Sequence, residues 1–559
     1  MTRKRAHYSR ALSVFALFVA VLPVLVVLVR PGALASTPPL FLPAVTYPSG
    51  GHLALSIAVA DLNGDGRPDL VVANCASIGP SGCDGGLDVL LGNGDGTFQS
   101  PVGYRSGGIR TFSVAIADVN RDGTPDLVAT NVCADSTCTR GSVGVLLGNG
   151  DGTFQTAAAF DVGGREAFAV AVADVDGDGN PDLVVARCGT SSCSENGSRN
   201  GKVGVLLGNG DGSFKAAVSY DSGGTIAVSV AIADVNGDGK PDILVANCGP
   251  LGADSCNAER GVLGVLLGNG DGSFRAAVSY DSGGYGATSV AISDVNGDSN
   301  PDVLVGNCGK FEGCGGIGSV GVLLGNGDGT FKAPASYDSG GNDTTSITVA
   351  DVNGDGKPDL LVANFTVDPS QDAGSMGVLL GNGDGTFQPA ATYYAGGIDA
   401  WSVAAADVNG DNKPDGLVAQ TCAAVTNCQG GVVGVLLNNT PLDTAPPVIT
   451  LSATPKVLWP PNGKRLPVII SGTITDTGSG VNANSAAYSV KDEYGEVQPM
   501  GAITLGPGGN YSFTILLQAS RRGSDLDGRR YTVTVRAKDN AGNGGSKTSA
   551  VTVPHDQGD

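Results

Sequence analysis

A nine-residue acidic string, D-x-N/D-x-D-x-x-P-D, occurs seven times in this chain, beginning at Asp61, Asp118, Asp174, Asp234, Asp294, Asp351 and Asp407. Successive copies lie 56 to 60 residues apart. A period of that length accommodates several short strands per unit, and 559 residues exceed what one hydrophobic core can organise. The 88 glycines and the 5% aromatic content fit strands joined by tight turns, so almost no helix is expected.

Read from Ser113, one unit gives a strand SVAIAD, the acidic loop, a strand DLVAT, a cysteine-bearing loop, a strand SVGVLLGN, an N-G-D-G turn and a strand TFQTAAAF. The N-G and D-G pairs supply the positive φ that tight hairpins need. Val114 and Ile116 alternate with Ser113, Ala115 and Ala117, which predicts a first strand buried on both faces between stacked neighbours. The fourth strand follows F-x5-Y/F-x2-G-G, as at Phe98, Tyr104, Gly107 and Gly108, and recurs from Phe154, Phe214, Phe274, Phe331 and Phe387. The seventh unit lacks it, whereas Phe41, Tyr47, Gly50 and Gly51 supply a copy ahead of the first loop. The expected fold is therefore all-β, a seven-bladed β-propeller whose N-terminal segment completes the last blade and removes an exposed edge.

Oxygen donors on alternate residues of a tight loop suit a hard cation, and calcium accepts a crowded all-protein cage more readily than magnesium. In the first loop Asp61, Asn63, Asp65 and Asp69 offer side-chain oxygens and Arg67 its backbone carbonyl. The same five positions are Asp118, Asn120, Asp122, Thr124 and Asp126 in the second loop and Asp174, Asp176, Asp178, Asn180 and Asp182 in the third. They are Asp234, Asn236, Asp238, Lys240 and Asp242 in the fourth, and Asp294, Asn296, Asp298, Asn300 and Asp302 in the fifth. The last two loops carry Asp351, Asn353, Asp355, Lys357 and Asp359, then Asp407, Asn409, Asp411, Lys413 and Asp415. Closure by Asp at position nine distinguishes the string from an EF-hand, which closes with Glu at twelve. A single copy would read as a polar turn; seven with the same closing Asp read as up to seven Ca²⁺ sites. Ser299 and Asn412 replace the glycine at position six, and Ser tolerates a left-handed backbone poorly, so the Asp294 loop is expected to bind weakest.

The net charge of -21 argues against nucleic acid and anionic membranes as partners. Seven Ca²⁺ would reduce it to about -7, so the acidity is mostly a metal inventory. Basic Thr2 to Arg10, apolar Ala11 to Val29 and Ala33-Leu34-Ala35 read as an export signal cut after residue 35, with an uncleaved anchor as the competing reading. Beyond it no segment is suited to membrane insertion. The twelve cysteines fall as close pairs, Cys75/Cys83, Cys133/Cys138, Cys188/Cys193, Cys248/Cys256, Cys308/Cys314 and Cys422/Cys428, which in an exported chain read as local disulfides.

Residues 41–439 resemble the FG-GAP or VCBS repeats, a propeller type also found at the head of integrin α subunits, through the seven acidic loops and the repeated G-N-G-D-G-T/S-F, as at Gly92 to Phe98. The resemblance implies calcium between the first and second strands of each blade and a role in adhesion or recognition. Residues 446–554, with alternating Tyr531-Thr-Val-Thr-Val-Arg-Ala and the turn Asp539-Asn540-Ala541-Gly542-Asn543, look like a bacterial Ig-like β-sandwich. The expected domains are a signal at 1–35, a propeller at 36–442 and an Ig-like domain at 443–559.

In such a meander the acidic loops and N-G-D-G turns share one end, and the cysteine-bearing loops, variable in length, share the other. Six positions before each first Asp stand Leu55, Phe112, Phe168, Val228, Thr288, Thr345 and Trp401, on the variable end. Phe112, Phe168 and Trp401 are candidates for stacking against a ligand, with packing as the plainer reading. Catalysis finds little support: His7, His52 and His555 are the only histidines and no Ser/His/Asp or Cys/His set can be assembled inside the repeats. The chain reads as a secreted or cell-surface, monomeric calcium-binding protein that recognises an extracellular glycan or protein. A structural envelope or spacer protein is the alternative, and an extracellular hydrolase or lyase a remote one.

Overall fold

The computed structural model describes residues 40–79, 82–189, 200–251, 259–309, 316–367, 373–424, 430–440, 443–476, 478–496 and 498–555. The proposed signal and Cys193, Cys256, Cys314 and Cys428 lie outside them. Among the described residues the chain is almost entirely β-strand, in several sheets, with one short 3₁₀ turn at Pro507–Gly509.

Each repeat, numbered here by its acidic loop, builds its core from its second and third strands. In repeat two these are Asp126–Cys133 and Ser142–Leu146, buried at every position. Their Val and Leu side chains face the neighbouring repeats on both sides, and each fully buried one contributes about 1.5–3 kcal/mol. The first strand departs from expectation. Val114 is buried, but Ser113, Ala115, Ile116 and Ala117 remain half-exposed. Both faces are nonetheless packed: Val114 and Ile116 lie in the core shared with repeat one, and Ala115 and Ala117 lie against the core shared with repeat three.

The links between repeats are themselves strand. At five junctions the fourth strand of one repeat runs into the first strand of the next as a continuous 16-residue strand, for example Val102–Ala117 and Val218–Ala233. The Gly-Gly pair turns a corner inside the strand: Gly107 has φ +82°. A close approach explains a second glycine column, in the third strands. A Cβ at Gly264 would lie 1.8 Å from the Ser222 carbonyl oxygen, and Gly144, Gly321, Gly377 and Gly434 meet an equivalent carbonyl. Repeat one carries Asp88 in this column instead, buried, with Oδ2 accepting from Asn74 Nδ2 at 3.0 Å.

Neighbouring repeats are joined by contacts that recur in register. A fourth-strand aromatic ring packs edge-on against the next repeat's Phe in seven pairs, Tyr47–Phe98, Tyr104–Phe154, Phe160–Phe214, Tyr220–Phe274, Tyr280–Phe331, Tyr337–Phe387 and Tyr393–Phe41. Phe41 and Tyr47 thus occupy the fourth-strand position of repeat seven. Val45–Pro48 pairs antiparallel with Val432–Leu436, and Phe41 bridges Asn438 as Phe98 bridges Gly92. The N–H of Gly272 donates to Val175 O, of Gly329 to Val235 O and of Gly385 to Val295 O, each to the preceding repeat. Gly96 of repeat one donates in the same way to Val408 O of repeat seven, at 2.9 Å. A buried amide column crosses the seams too: Asn74, Asn131, Asn247, Asn307, Asn364 and Gln420 each donate to the carbonyl of the residue before a Gly-Gly pair.

Beyond the repeats, two four-stranded sheets share a core. One pairs Arg465–Thr475 with Val448–Ile449, Ser452–Thr454 and Asn510–Gln518; the other runs Met500–Ala502, Val481–Asp492, Arg529–Asp539, Gly544–Val553. Val468, Ile470, Ile515 and Leu517 from the first meet Val533, Val535, Val551 and Val553 from the second.

Candidate functional site

The acidic loops owe their shape to their own carboxylates. Asp61 Oδ1 accepts from the N–H of Gly64 and Asp65, and Oδ2 from that of Gly66 at 2.7 Å. Asn63 Oδ1 accepts from Asp65 N–H and Asp65 Oδ1 from Arg67 N–H. The same set recurs, for instance, from Asp234 and from Asp407. Folding the backbone around position one leaves the donor oxygens gathered on its inner side. In the third loop, where position three is Asp176, carboxylate oxygens of Asp174, Asp176 and Asp182 lie within 4.8 Å of one another, at positions one, three and nine. Three convergent carboxylates with no basic side chain among them are a donor set that suits a hard divalent cation.

Position nine also does something that the spacing of donors does not show. Asp69 is fully buried, and its two oxygens accept from Leu62 N–H at 2.9 Å and Gly92 N–H at 2.7 Å. All seven closing carboxylates tie the acidic loop to the start of the following turn, the last one through Asn438 N–H. The two kinds of loop therefore share one end, as expected. Burial raises the pKa of every closing Asp, to about 7 at Asp359 and about 6 at Asp415. An adjacent divalent cation would pull these groups back toward the ionised form. By contrast the turn carboxylates Asp95, Asp151 and Asp328 are exposed and lowered by the Thr hydroxyl two residues on.

Positions four and six of the loop are left-handed. Ser299 has φ +69° and Asn412 φ +62°, as their places in the string require. Arg121, which takes position four of the second loop with φ +62°, is a strained position that the sequence reading passed over, although glycine at that position in the other six loops signals it.

At the opposite end, Phe112 meets Phe168 at 5.4 Å and Trp401 at 6.3 Å between ring centroids, so the three candidate residues come together, half-exposed. Trp401 Nε1 donates to Thr421 Oγ1. All seven positions of this column fall where strand register slips, between Thr111 and Ser113 around Phe112 and between Ala400 and Ser402 around Trp401. A bulge re-aims its extra side chain, which is how non-adjacent repeats bring rings together. Phe365 joins the group at 5.4 Å from Trp401. It stands where repeats three to five place Cys188, Cys248 and Cys308, in the one repeat without a cysteine pair, which is the signal that sequence reading missed. Around this end Cys75–Cys83 and Cys133–Cys138 are bridged, Cys188, Cys248, Cys308 and Cys422 are disulfide-bonded, and no described cysteine is free.

A second such carboxylate group among the described residues, Asp443, Asp476 and Asp539, also lies within 4.8 Å, where the chain passes from the repeats to the last two sheets. It belongs to no repeated motif.

FG-GAP-like repeat models match residues 61–129, 132–185, 193–245, 313–362 and 365–418, just over half of the chain, and a further FG-GAP repeat model matches 167–206. The chain belongs to the FG-GAP-like repeat family. The matching models describe a repeat and name no reaction. No curated protein matches. Among solved structures, the Vibrio cholerae biofilm matrix protein Bap1 is similar at 15% identity and a TM-score of 0.40, over 71% of this chain and 90% of that one, a likeness too slight to carry an argument. Among the described residues no helix is long and apolar enough to cross a membrane.

Proposed function

We propose that the seven repeats close as a calcium-loaded seven-bladed β-propeller spanning residues 36–442, which with an Ig-like domain at 443–559 makes a rigid, extracellular structural and adhesive module. The observation that carries this reading is cyclic succession: the aromatic pairs and the glycine-to-carbonyl bonds that join one repeat to the next also join repeat seven to repeat one. The seven acidic loops are its staples, each offering positions one, three and five, the carbonyl of seven and the carboxylate of nine to one Ca²⁺. When bound, the ion supplies only charge and cross-linking. The chain's own carboxylates shape the loop and fasten it to the next turn. Paired cysteines in separate repeats agree with an oxidising, extracellular setting and a cleaved export signal at 1–35.

Native mass spectrometry of the disulfide-intact chain should count up to seven Ca²⁺, and chelation should lower the melting temperature steeply. A chain that retains no calcium and melts alike in both buffers would overturn the assignment.

A second reading has its own support. The half-exposed rings of Phe112, Phe168, Phe365 and Trp401, in repeats whose segments between the second and third strands differ in sequence, offer a stacking surface for a glycan or protein ligand. Screening wild type and Trp401→Ala against glycans and matrix proteins tests it. Equal binding by both proteins would remove that surface from consideration.

A further inference from the structure

The sixth acidic loop is unlike the other six in what lies against it. A Cβ at Gly480, in the turn that precedes Val481–Asp492, would sit 2.6 Å from the carbonyl oxygen of Asp355. One at Gly356 would sit 2.7 Å from Asn540 Nδ2. At the positions equivalent to Gly356 in the first, second and fourth loops, Gly66, Gly123 and Gly239, a Cβ would meet nothing within 4 Å. Asp355 is half-buried, as is Asp411 in the seventh loop, where Asp65, Asp122, Asp178, Asp238 and Asp298 are exposed.

The contact is braced from both sides. Toward the repeats, Asn438 Nδ2 and Thr440 Oγ1 donate to Val352 O, at position two of the same loop, so the chain leaves the last repeat beside it. Toward the last two sheets, Asn540 N–H donates to Gly480 O and its amide to Ser479 O, which locks the two touching turns together. The loop surface that they touch is shaped by one side chain: Asp351 accepts from Gly354, Asp355 and Gly356 N–H at 2.8, 3.0 and 2.7 Å. The backbone atoms in contact with the C-terminal region are therefore those that the position-one ligand holds.

We propose that cation occupancy of the sixth loop fixes the C-terminal sheets against the repeats, making this one loop a calcium-dependent joint while the other six only staple. The proposal rests on the loops binding calcium. Binding at one end of the joint and docking at the other are then linked and must act reciprocally.

Hydrogen exchange on the full chain tests it, with Asp351→Asn/Asp355→Asn set against Asp234→Asn/Asp238→Asn as the control that empties a loop whose position-six glycine, Gly239, has nothing against it. Exchange across 478–482 and 539–543 should accelerate by about tenfold or more in the sixth-loop variant and on chelation, and remain unchanged in the control. Equal exchange in both variants would overturn the joint. Should the sixth-loop variant fail to fold, Asn540→Ala gives the reciprocal measurement: one site of seven should lose calcium at concentrations that fill all seven in wild type, and unchanged titration would overturn the proposal. Absence of calcium binding in wild type would instead sink the reading of the loops themselves.

Discussion

The two ends of the repeats obey opposite rules. At the acidic end seven loops repeat nearly residue for residue, each closed by a buried Asp that accepts from both the loop and the following turn. At the other end one column of bulges carries Leu55, Phe112, Phe168, Val228, Thr288, Thr345 and Trp401, and no two neighbouring loops match. Repetition is what a staple needs, because each repeat bears the same load. Variation is what the other end tolerates, because its side chains meet one another rather than a common partner. Thr288 and Thr345 illustrate the point by bonding the next repeat's backbone where Phe112 and Trp401 stack.

The contrast can be broken most severely by removing the ions. With calcium at a thousandfold excess over Kd each site adds about 4 kcal/mol, so chelation should lower the melting temperature by tens of degrees, roughly, whereas Phe112→Ala should leave calcium dependence intact. Calorimetry in calcium and in chelator decides this.

Next in size is a closing carboxylate. Asp126→Ala leaves the buried N–H groups of Val119 and Gly148 without partners and should cost about 3 kcal/mol in calcium-free buffer as well as in calcium, since these bonds do not need the ion. A cost seen only in calcium would reduce position nine to a ligand.

Asp88 sharpens the comparison within the core. Burial pushes its carboxyl up to about 6 from an ordinary 3.8, against the lowering effect of the bond from Asn74. The folded protein resists ionising this group, so the stability it contributes is full below about pH 4 and is lost as the pH rises through 6, by about 2–3 kcal/mol. Asp88→Asn should therefore be more stable than wild type at pH 7.5 by roughly that amount, with the difference vanishing near pH 4. Urea unfolding of both proteins at the two pH values measures it.

The smallest effects are at the strained loop positions. Ser299→Gly and Arg121→Gly each relieve a left-handed side chain and should add about 1 kcal/mol. Ser299→Gly should also raise the affinity of the Asp294 site, which is expected to fill last. Isothermal titration that finds it filling first would reverse the ranking.

Much of this molecule is legible without coordinates because its information is local and repeated. Seven acidic strings, seven F-x5-Y/F patterns and the displaced copy at Phe41 and Tyr47 fix how many units there are and which segment completes the last. Turn glycines and paired cysteines are read the same way, from residues a few positions apart. The first strand shows the limit of that reading, because alternation of large and small side chains marks two packed faces but not how much of either stays open to solvent.

The sequence by itself thus determined the unit, its count, its candidate cation ligands and the chain segment that pairs the two ends of the array. Tertiary structure alone decided that position nine also fastens the loop to the next turn, that Phe365 joins rings from three other repeats, that Asp88 lies buried against Asn74, and that the C-terminal turns rest on the sixth loop. The division has a physical cause. Donor spacing, turn geometry and strand alternation are set by neighbours within a few residues. A bulge's aim and the choice of one loop among seven depend on surfaces brought together from far apart in the chain, as Phe112 and Trp401 are, and a buried charge depends on how the strands around it pack, which no local pattern encodes.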